Sequence, residues 1–452
     1  MKVTFKTLGC KVNQYETQLM REQFTASGFK EPARDEQPDV YVINTCTVTQ
    51  KADSESRRLI RKARRENPDA KIIVAGCYAE LDRAEIAKIS KDLIIIKNSE
   101  KTKILQYLDG CQAPNHIKVS DTSIQGISGF EGRTKAFVKV QDGCDNFCSY
   151  CKVPYARGRS RSRKIDDIVP EISRLVSSGY REIILTGICL GDWGRSSGLT
   201  ITDLLKAVDP GVTGTFRIRL SSIEPWYVTE ALLRTMASLK RVCKHLHIPM
   251  QSGDNDVLKK MNRKFSSTDF AALIGRCRSF MPDIAFTTDI MVGFPGETED
   301  EFQNTLNITE TTAPSRTHIF PYSPRKGTKA HEAGGFISAG EMRKRVKRLK
   351  LLTDKLASMY RQKFTGQRLE VLVETERDKA SGLLVGYTDT YVPVAFDGPD
   401  ELRGTLREVV LTNENSYDIL ATRFDGTGEA IGGVYPQDKL DRCINRNCFS
   451  QK

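Results

Sequence analysis

The chain has no run of 18 apolar residues. Its longest aliphatic block is Leu93-Ile94-Ile95-Ile96, so no helical membrane span is expected. No secretory signal is expected, since Met1-Lys2-Val3-Thr4-Phe5-Lys6 reads as an alternating strand pattern. Cysteine is too dilute for a disulfide scaffold, at 12 in 452 residues. A cytoplasmic protein is expected, and in a reducing compartment these cysteines read better as metal ligands. An excess of acid is also missing. The balance of 69 Lys and Arg against 57 Asp and Glu leaves a net charge of +12, which suggests a polyanionic partner where the charge clusters. The length excludes a single core, and three domains are expected.

What is present centres on Gly143-Cys144-Asp145-Asn146-Phe147-Cys148-Ser149-Tyr150-Cys151. Its C-x3-C-x2-C spacing offers three thiolates on one tight loop. An iron–sulfur cube takes a thiolate on each of four irons, so three would leave one iron open to a small molecule. Structural zinc is the alternative, but it needs a fourth ligand nearby, and Cys189 and His245 are remote in sequence.

A second triad is spread over the first hundred residues. Lys2–Thr7, Val40–Ile43 and Ile72–Ala75 read as strands, with helices expected over Tyr15–Ser27 and Lys51–Asn67. That alternation implies parallel βαβ units, whose ligands sit beyond the carboxyl ends of the strands. Each strand is followed within three residues by a cysteine: Cys10, Cys46 and Cys77. The topology would bring them to one sheet edge, again three thiolates with one iron free. Three unrelated buried cysteines are the plainer alternative.

The Cys144 loop, with aromatic Tyr150 before its last cysteine, resembles the signature of radical S-adenosylmethionine (SAM) enzymes. Thr7-Leu8-Gly9-Cys10-Lys11-Val12-Asn13-Gln14-Tyr15-Glu16-Thr17 resembles the opening of the methylthiotransferase family, in the branch acting on threonylcarbamoyladenosine in tRNA. The branch acting on isopentenyladenosine tends to carry Gln-Met-Asn after the cysteine, and the ribosomal-protein branch Pro-Lys-Asn.

The resemblance implies two [4Fe–4S] clusters facing one cavity. Cys144, Cys148 and Cys151 would hold the cluster that cleaves SAM, and Cys10, Cys46 and Cys77 an auxiliary cluster carrying the sulfur to be inserted. The fold expected is α/β: an N-terminal parallel βαβ sheet over 1–108, a linker over 109–132, and a partial (β/α)6 radical SAM barrel over 133–362. A small antiparallel β-barrel of OB-like TRAM type should fill 365–430, with a tail over 431–452. Six barrel strands are expected at Ala136–Val140, Glu182–Thr186, Phe216–Leu220, His245–Ile248, Ile284–Met291 and Thr317–Pro321. At their carboxyl ends, Tyr150, Thr186, Gly187, Ser222, Glu224, Gln251 and Gly293 match positions that would bind SAM. His245 and His247 read as core or supporting residues rather than metal ligands. Relatives often have Asn or His where Cys189 stands, which leaves its contact open.

Two basic runs flank the triads and suggest a guided polyanion: Arg57, Arg61 and Arg65 on the second helix, and Arg157, Arg159, Arg161 and Arg163 after the loop. A third basic helix, from Glu341 to about Phe364, should pack its stripe of Val346, Leu349, Leu352, Leu356 and Tyr360 on the barrel. Residues 365–430 run the other way, with 6 Arg and Lys against 13 Asp and Glu, so this domain cannot attract RNA by bulk charge. The expected reaction is methylthio insertion at C2 of N6-threonylcarbamoyladenosine in a tRNA anticodon loop, by a monomer served by an electron donor and a sulfur source. Alternatives are an isopentenyladenosine enzyme, a ribosomal-protein methylthiotransferase favoured by the acidic domain, and a non-catalytic iron–sulfur RNA-binding protein.

Overall fold

The computed structural model describes residues 1–33, 35–108, 126–379, 381–411, 420–424 and 430–431. Strands β1 (Val3–Thr7), β2 (Val40–Thr45), β3 (Lys71–Gly76) and β4 (Ile94–Ile95) form one parallel sheet in that order. Every residue of β2 is buried, as a central parallel strand with helices on both faces requires. One face packs Met20 and Phe24 with Ile104, and the other packs Ile60, Ala63, Tyr78 and Ile86. Helix α1 (Lys11–Ala26) starts four residues before its expected beginning, with extended Cys10 as its N-cap. Helix α2 (Gln50–Glu66) begins where Thr49 Oγ1 accepts from Ala52 N, at 3.1 Å.

The central domain is built from β5 (Ala136–Lys139), β6 (Glu182–Thr186), β7 (Arg217–Leu220), β8 (His245–His247), β9 (Ala285–Val292) and β10 (Arg316–Pro321). The first three pair in parallel, as do the last three, and short bridges at Ile218–Val242 and Ser222–His247 join the two halves. All six expected strands are therefore present in an open barrel. Helix α1 packs along the β5 edge, where Tyr15 enters the barrel core. A helix over Ala339–Gln362 covers the β10 edge, so neither outer strand is left bare. Its inward face carries Leu349, Leu356 and Tyr360 as expected, but also Arg345, which bonds buried Glu297 at 2.9 Å.

The C-terminal strands β11 (Arg368–Val373), β12 (Leu384–Thr388), β13 (Pro393–Phe396), β14 (Leu406–Val410), β15 (Leu420–Phe424) and β16 (Ala430–Ile431) form one sheet in the order β14-β11-β12-β13-β15-β16. The expectation of a purely antiparallel barrel needs correction, because β13 and β15 run parallel. This domain meets the barrel at the amino ends of its strands. Glu182, which opens β6, bonds Arg217 and Arg219 of β7, and these donate to the Tyr387, Thr388 and Asp389 carbonyls at 2.8–3.1 Å. The domain thus sits opposite the carboxyl-end mouth.

The linker expectation also shifts. Residues 109–125 and 432–452 lie outside the described residues, as do Cys111, Cys443 and Cys448. Ile127 and Phe130 are buried in the barrel core and belong to that domain. No helix among the described residues is long and apolar enough to cross a membrane.

Candidate active site

The loop after β5 is gripped from both sides. Gly143 has φ +76°, and a Cβ there would lie 2.0 Å from the Arg159 carbonyl, so only glycine lets the loop close on the returning chain. Gln141 Nε2 donates to Gly143 O at 2.8 Å, while its Oε1 accepts from Cys189 N at 2.8 Å. From the far side, Asn262 Nδ2 donates to the Asn146 and Phe147 carbonyls, and Ser149 N donates to Met261 O. Each sulfur receives a donor: Asn146 N on Cys144 at 3.5 Å, Arg263 Nη1 on Cys148 at 3.7 Å and Val153 N on Cys151 at 3.4 Å. Burial nevertheless pushes the Cys148 thiol up, and that of Cys151 up to about 12. Thiols in this state become thiolates when a metal takes the proton's place.

The second triad stands at the carboxyl edge of the N-terminal sheet. Cys10 follows β1, Cys46 follows β2, and Cys77 follows β3. Burial pushes the Cys46 thiol up to about 12 and raises that of Cys77. Members of each triad are close enough to feel one another's charge. Among the described residues, however, the only three ligand atoms all within 4.8 Å of one another belong to Asp254, Asp256 and Glu301. Each cysteine set offers three sulfur donors, the number a [4Fe–4S] cube takes when each thiolate holds its own iron and the fourth iron stays open.

The two triads are joined by a buried ion network. Arg157, at the end of the short helix after Cys151, donates to Glu16 Oε1 at 2.9 Å, to Asn13 Oδ1 at 2.6 Å and to Asp142 Oδ1 at 2.9 Å. Lys101 and Lys139 also reach Glu16, at 2.6 and 2.9 Å. Burial alone would raise the Glu16 carboxyl, but Arg157, Lys101 and Lys139 hold it well below the usual carboxylate range. Arg157 also acts electrostatically on Cys77. Arg325 closes the same seam by bonding Thr47 Oγ1 at 2.6 Å and Asp53 at 2.7 Å, which holds the Cys46 loop at the barrel mouth.

This network corrects the reading of the second basic run as an RNA-binding surface. Arg157 is buried, because the enclosed Glu16 carboxylate requires a counter-charge. Arg163 turns inward to Glu171 Oε2 at 2.6 Å and to Tyr15 Oη at 3.1 Å. Arg159 and Arg161 face solvent, with side chains 79% and 59% exposed. On α2, Arg57 is tied to Tyr78 Oη at 2.7 Å, while exposed Arg61 and Arg65 flank a shallow cavity of about 360 Å³ beside Arg58, Arg64 and Ile89.

The remaining candidates fall at the mouth. Thr186 is buried with its carbonyl bonded to Val140 N, and a Cβ on Gly187 would meet Gln141 Oε1 at 2.8 Å. Half-buried Ser222 pairs with His247. Tyr150 packs beside Phe294 and Tyr322. Gly293, at φ +80°, begins a turn closed by its N–H to Glu297 Oε2 at 2.9 Å. Gln251 adopts φ +68°, and its Oε1 and Ser221 Oγ are buried without a hydrogen-bond partner among the described residues. Such orphaned atoms at a strand-end cleft fit a polar small-molecule ligand.

Sequence reasoning missed Arg263, which clamps Glu224 Oε1 at 3.2 Å, touches Cys148 and lies over the rings of Trp226 and Phe265. Its only sequence signal was a cation after a short helix. The contact left open at Cys189 is also resolved: its thiol accepts from Asn146 Nδ2 at 3.4 Å, and the backbone N–H of the same Asn146 donates to Cys144 Sγ at 3.5 Å.

Residues 2–96 match the uncharacterized protein family UPF0004, and residues 138–308 match the radical SAM superfamily. The threonylcarbamoyladenosine tRNA methylthiotransferase MtaB of Bacillus subtilis is 39% identical, with 90% of this chain and 93% of that protein covered. The protein of the same name from Thermotoga maritima is 38% identical, over 88% and 91%. A tRNA-2-methylthio-N(6)-dimethylallyladenosine synthase from Moorella thermoacetica is 33% identical, over 94% and 99%. Among solved structures, the radical SAM methyltransferase TsrM of Kitasatospora setae shares the fold with a TM-score of 0.51 at 16% identity, over 73% of this chain and 77% of that one.

Fold and site together define a radical SAM enzyme, which uses SAM and [4Fe–4S] clusters. Within that class, the chain belongs to the methylthiotransferase family.

Proposed function

We propose that the protein inserts a methylthio group at C2 of N6-threonylcarbamoyladenosine in the anticodon loop of tRNA. The names of its relatives at 38–39% identity support this substrate, as does the Lys11-Val12-Asn13 sequence after the first cysteine. The observation that carries the reading is the pair of incomplete thiol cradles joined through Arg157, Glu16 and Asn13 across one seam. When bound, the clusters and SAM supply a carbon-centred radical and a sulfur to be methylated, which are beyond side-chain chemistry at an adenine C2.

Cys144, Cys148 and Cys151 would hold the SAM-binding cluster, and Cys10, Cys46 and Cys77 the auxiliary one. Arg263 orients Glu224 and donates to Cys148, while Ser221, Gln251 and the Gly293 turn bound the SAM cleft. The Arg157 network keeps the opposed thiols in register and water out of the seam. The C-terminal sheet is a TRAM-type domain that braces the barrel from behind. Arg61, Arg65, Arg159 and Arg161 receive the RNA backbone. The enzyme works as a cytoplasmic monomer, with a separate electron donor and sulfur source.

The test is mass spectrometry of tRNA nucleosides from cells with and without the gene. The expected result is loss of 2-methylthio-N6-threonylcarbamoyladenosine and its restoration by the wild-type chain. Cys46→Ala should restore no methylthio product in cells yet cleave SAM in vitro, whereas Cys148→Ala should lose both reactions. Unchanged nucleosides in the deletion strain, or full complementation by Cys46→Ala, would overturn the reading.

A further inference from the structure

Phe147 directly precedes Cys148, and Tyr155 lies four residues past Cys151. Both rings reach solvent, with Phe147 40% and Tyr155 58% exposed. Apolar side chains exposed singly are ordinary, but these two touch. Their centroids are 5.8 Å apart with the rings inclined at 76°, the edge-to-face arrangement that aromatic pairs favour. The Arg159 guanidinium lies 5.8 Å from the Phe147 centroid and pairs with Asp145 at 3.1 Å. The Cys144 loop and the segment after it thus present two rings and a cation as one surface, with Tyr155 the more open ring.

Both rings are held in place. Phe147 adopts φ +47°, a left-handed backbone that is strained for a bulky side chain and persists only where its surroundings fix it. Asn262 supplies that constraint by donating to the Phe147 carbonyl at 3.1 Å. Tyr155 stands on the short helix Val153–Arg157, whose other side is buried through Pro154, Ala156 and Arg157. The N-terminal domain anchors this helix: Asn98 Nδ2 donates to Ala156 O at 2.8 Å, and Asp82 pairs with Lys152 at 3.5 Å. A rigid aromatic surface therefore faces solvent beside the first triad, although the fold gains nothing from leaving it uncovered.

We propose that Tyr155, braced by Phe147, is a stacking platform for an unpaired RNA base, the loop nucleotide that neighbours the target adenosine. This rests on the function proposed above. An adenine whose C2 is to react must leave the stack of its loop, and the neighbour it leaves behind loses a stacked face. An aromatic side chain replaces that partner for any base, since every base has a π face. Arg159 and Arg161, exposed on the same segment, supply cations for the phosphates of the stacked nucleotide. A ring flanked by cations suits a nucleotide better than an apolar protein segment, which would cover both guanidinium groups without pairing them.

The test uses reconstituted holoenzyme and anticodon stem-loops carrying threonylcarbamoyladenosine, either intact or with one abasic site at a loop position other than the target. Affinity for each stem-loop is measured for wild type, Tyr155→Leu and Tyr155→Trp, and methylthiolation of the intact stem-loop is measured for wild type. Wild type should lose about 5- to 100-fold in affinity when the abasic site adjoins the target, the range of one stacked base. Tyr155→Leu should bind the intact stem-loop more weakly by a similar factor and bring the intact-to-abasic ratio at that position to near one. Tyr155→Trp, which keeps a π face, should retain the ratio. A merely structural role for Tyr155 would weaken intact and abasic stem-loops alike. With wild type active on the intact stem-loop, an unchanged ratio in Tyr155→Leu, or no loss at either position beside the target in wild type, overturns the platform alone. Wild type inactive on the intact stem-loop overturns the proposed function and the platform with it.

Discussion

At the residue scale, the assembly depends on one carboxylate. Glu16 is buried and receives Lys101, Lys139 and Arg157, drawn from three different segments. Removing one partner of a buried ion network costs about 3–5 kcal/mol, because the others stay uncompensated. Glu16→Gln should therefore lower stability at pH 7 by roughly that amount. The pH dependence follows from the direction of the shift. A carboxyl held below its unfolded value, 4.5 for Glu16, contributes stability that is present above that pH and lost as pH falls through the folded value. Urea unfolding of the cluster-free protein, followed by circular dichroism, should show the gap between wild type and Glu16→Gln closing below about pH 4.5. A constant gap from pH 7 to pH 3 would show that the network contributes packing and not charge. None of this was legible beforehand: Arg157 read as part of a solvent-facing run because its partner lies 141 positions away.

At the element scale, the auxiliary triad is made by turns as much as by strands. Gly76 ends β3 at φ +99°, and a Cβ there would lie 2.2 Å from the Thr45 carbonyl and 2.5 Å from Thr45 N. Those atoms are backbone of the neighbouring strand, one residue before Cys46, and no rotamer change relieves the clash. Gly76→Ala should displace Cys46 and Cys77 together. Anaerobic reconstitution would then recover about four irons per chain instead of about eight, with SAM cleavage retained; full iron content in the variant would sink the argument. The strands themselves were legible because buried parallel strands leave continuous apolar runs such as Val40-Tyr41-Val42-Ile43. The start of α1 was not, since Cys10 caps without a side-chain bond and lies outside the usual capping residues. The parallel β13–β15 pair escaped for a different reason: alternation reports which face a residue lies on but says nothing of strand direction.

At the scale of the whole molecule, charge is segregated about the mouth. The acidic C-terminal segment docks at the amino ends of the barrel strands through Glu182, Arg217 and Arg219, away from both triads. The solvent-facing arginines flank the triads instead: Arg61 and Arg65 on the helix after Cys46, and Arg159 and Arg161 after Cys151. On the function proposed above, a tRNA approaching this surface would meet cations on either side of the seam and an acidic domain behind it, an arrangement that would orient the anticodon loop toward the mouth. Each phosphate neutralised by one of these side chains releases counterions, so its loss lowers the slope of log affinity against log salt by about 0.7 for single strands or 0.9 for duplex. Arg61→Gln with Arg65→Gln, and separately Arg159→Gln with Arg161→Gln, should each reduce that slope while leaving SAM cleavage without RNA intact. Filter binding of an anticodon stem-loop from 50 to 300 mM KCl reads the slope directly. If both double variants keep the wild-type slope, the arginines are only a solvated face and the RNA enters by another route.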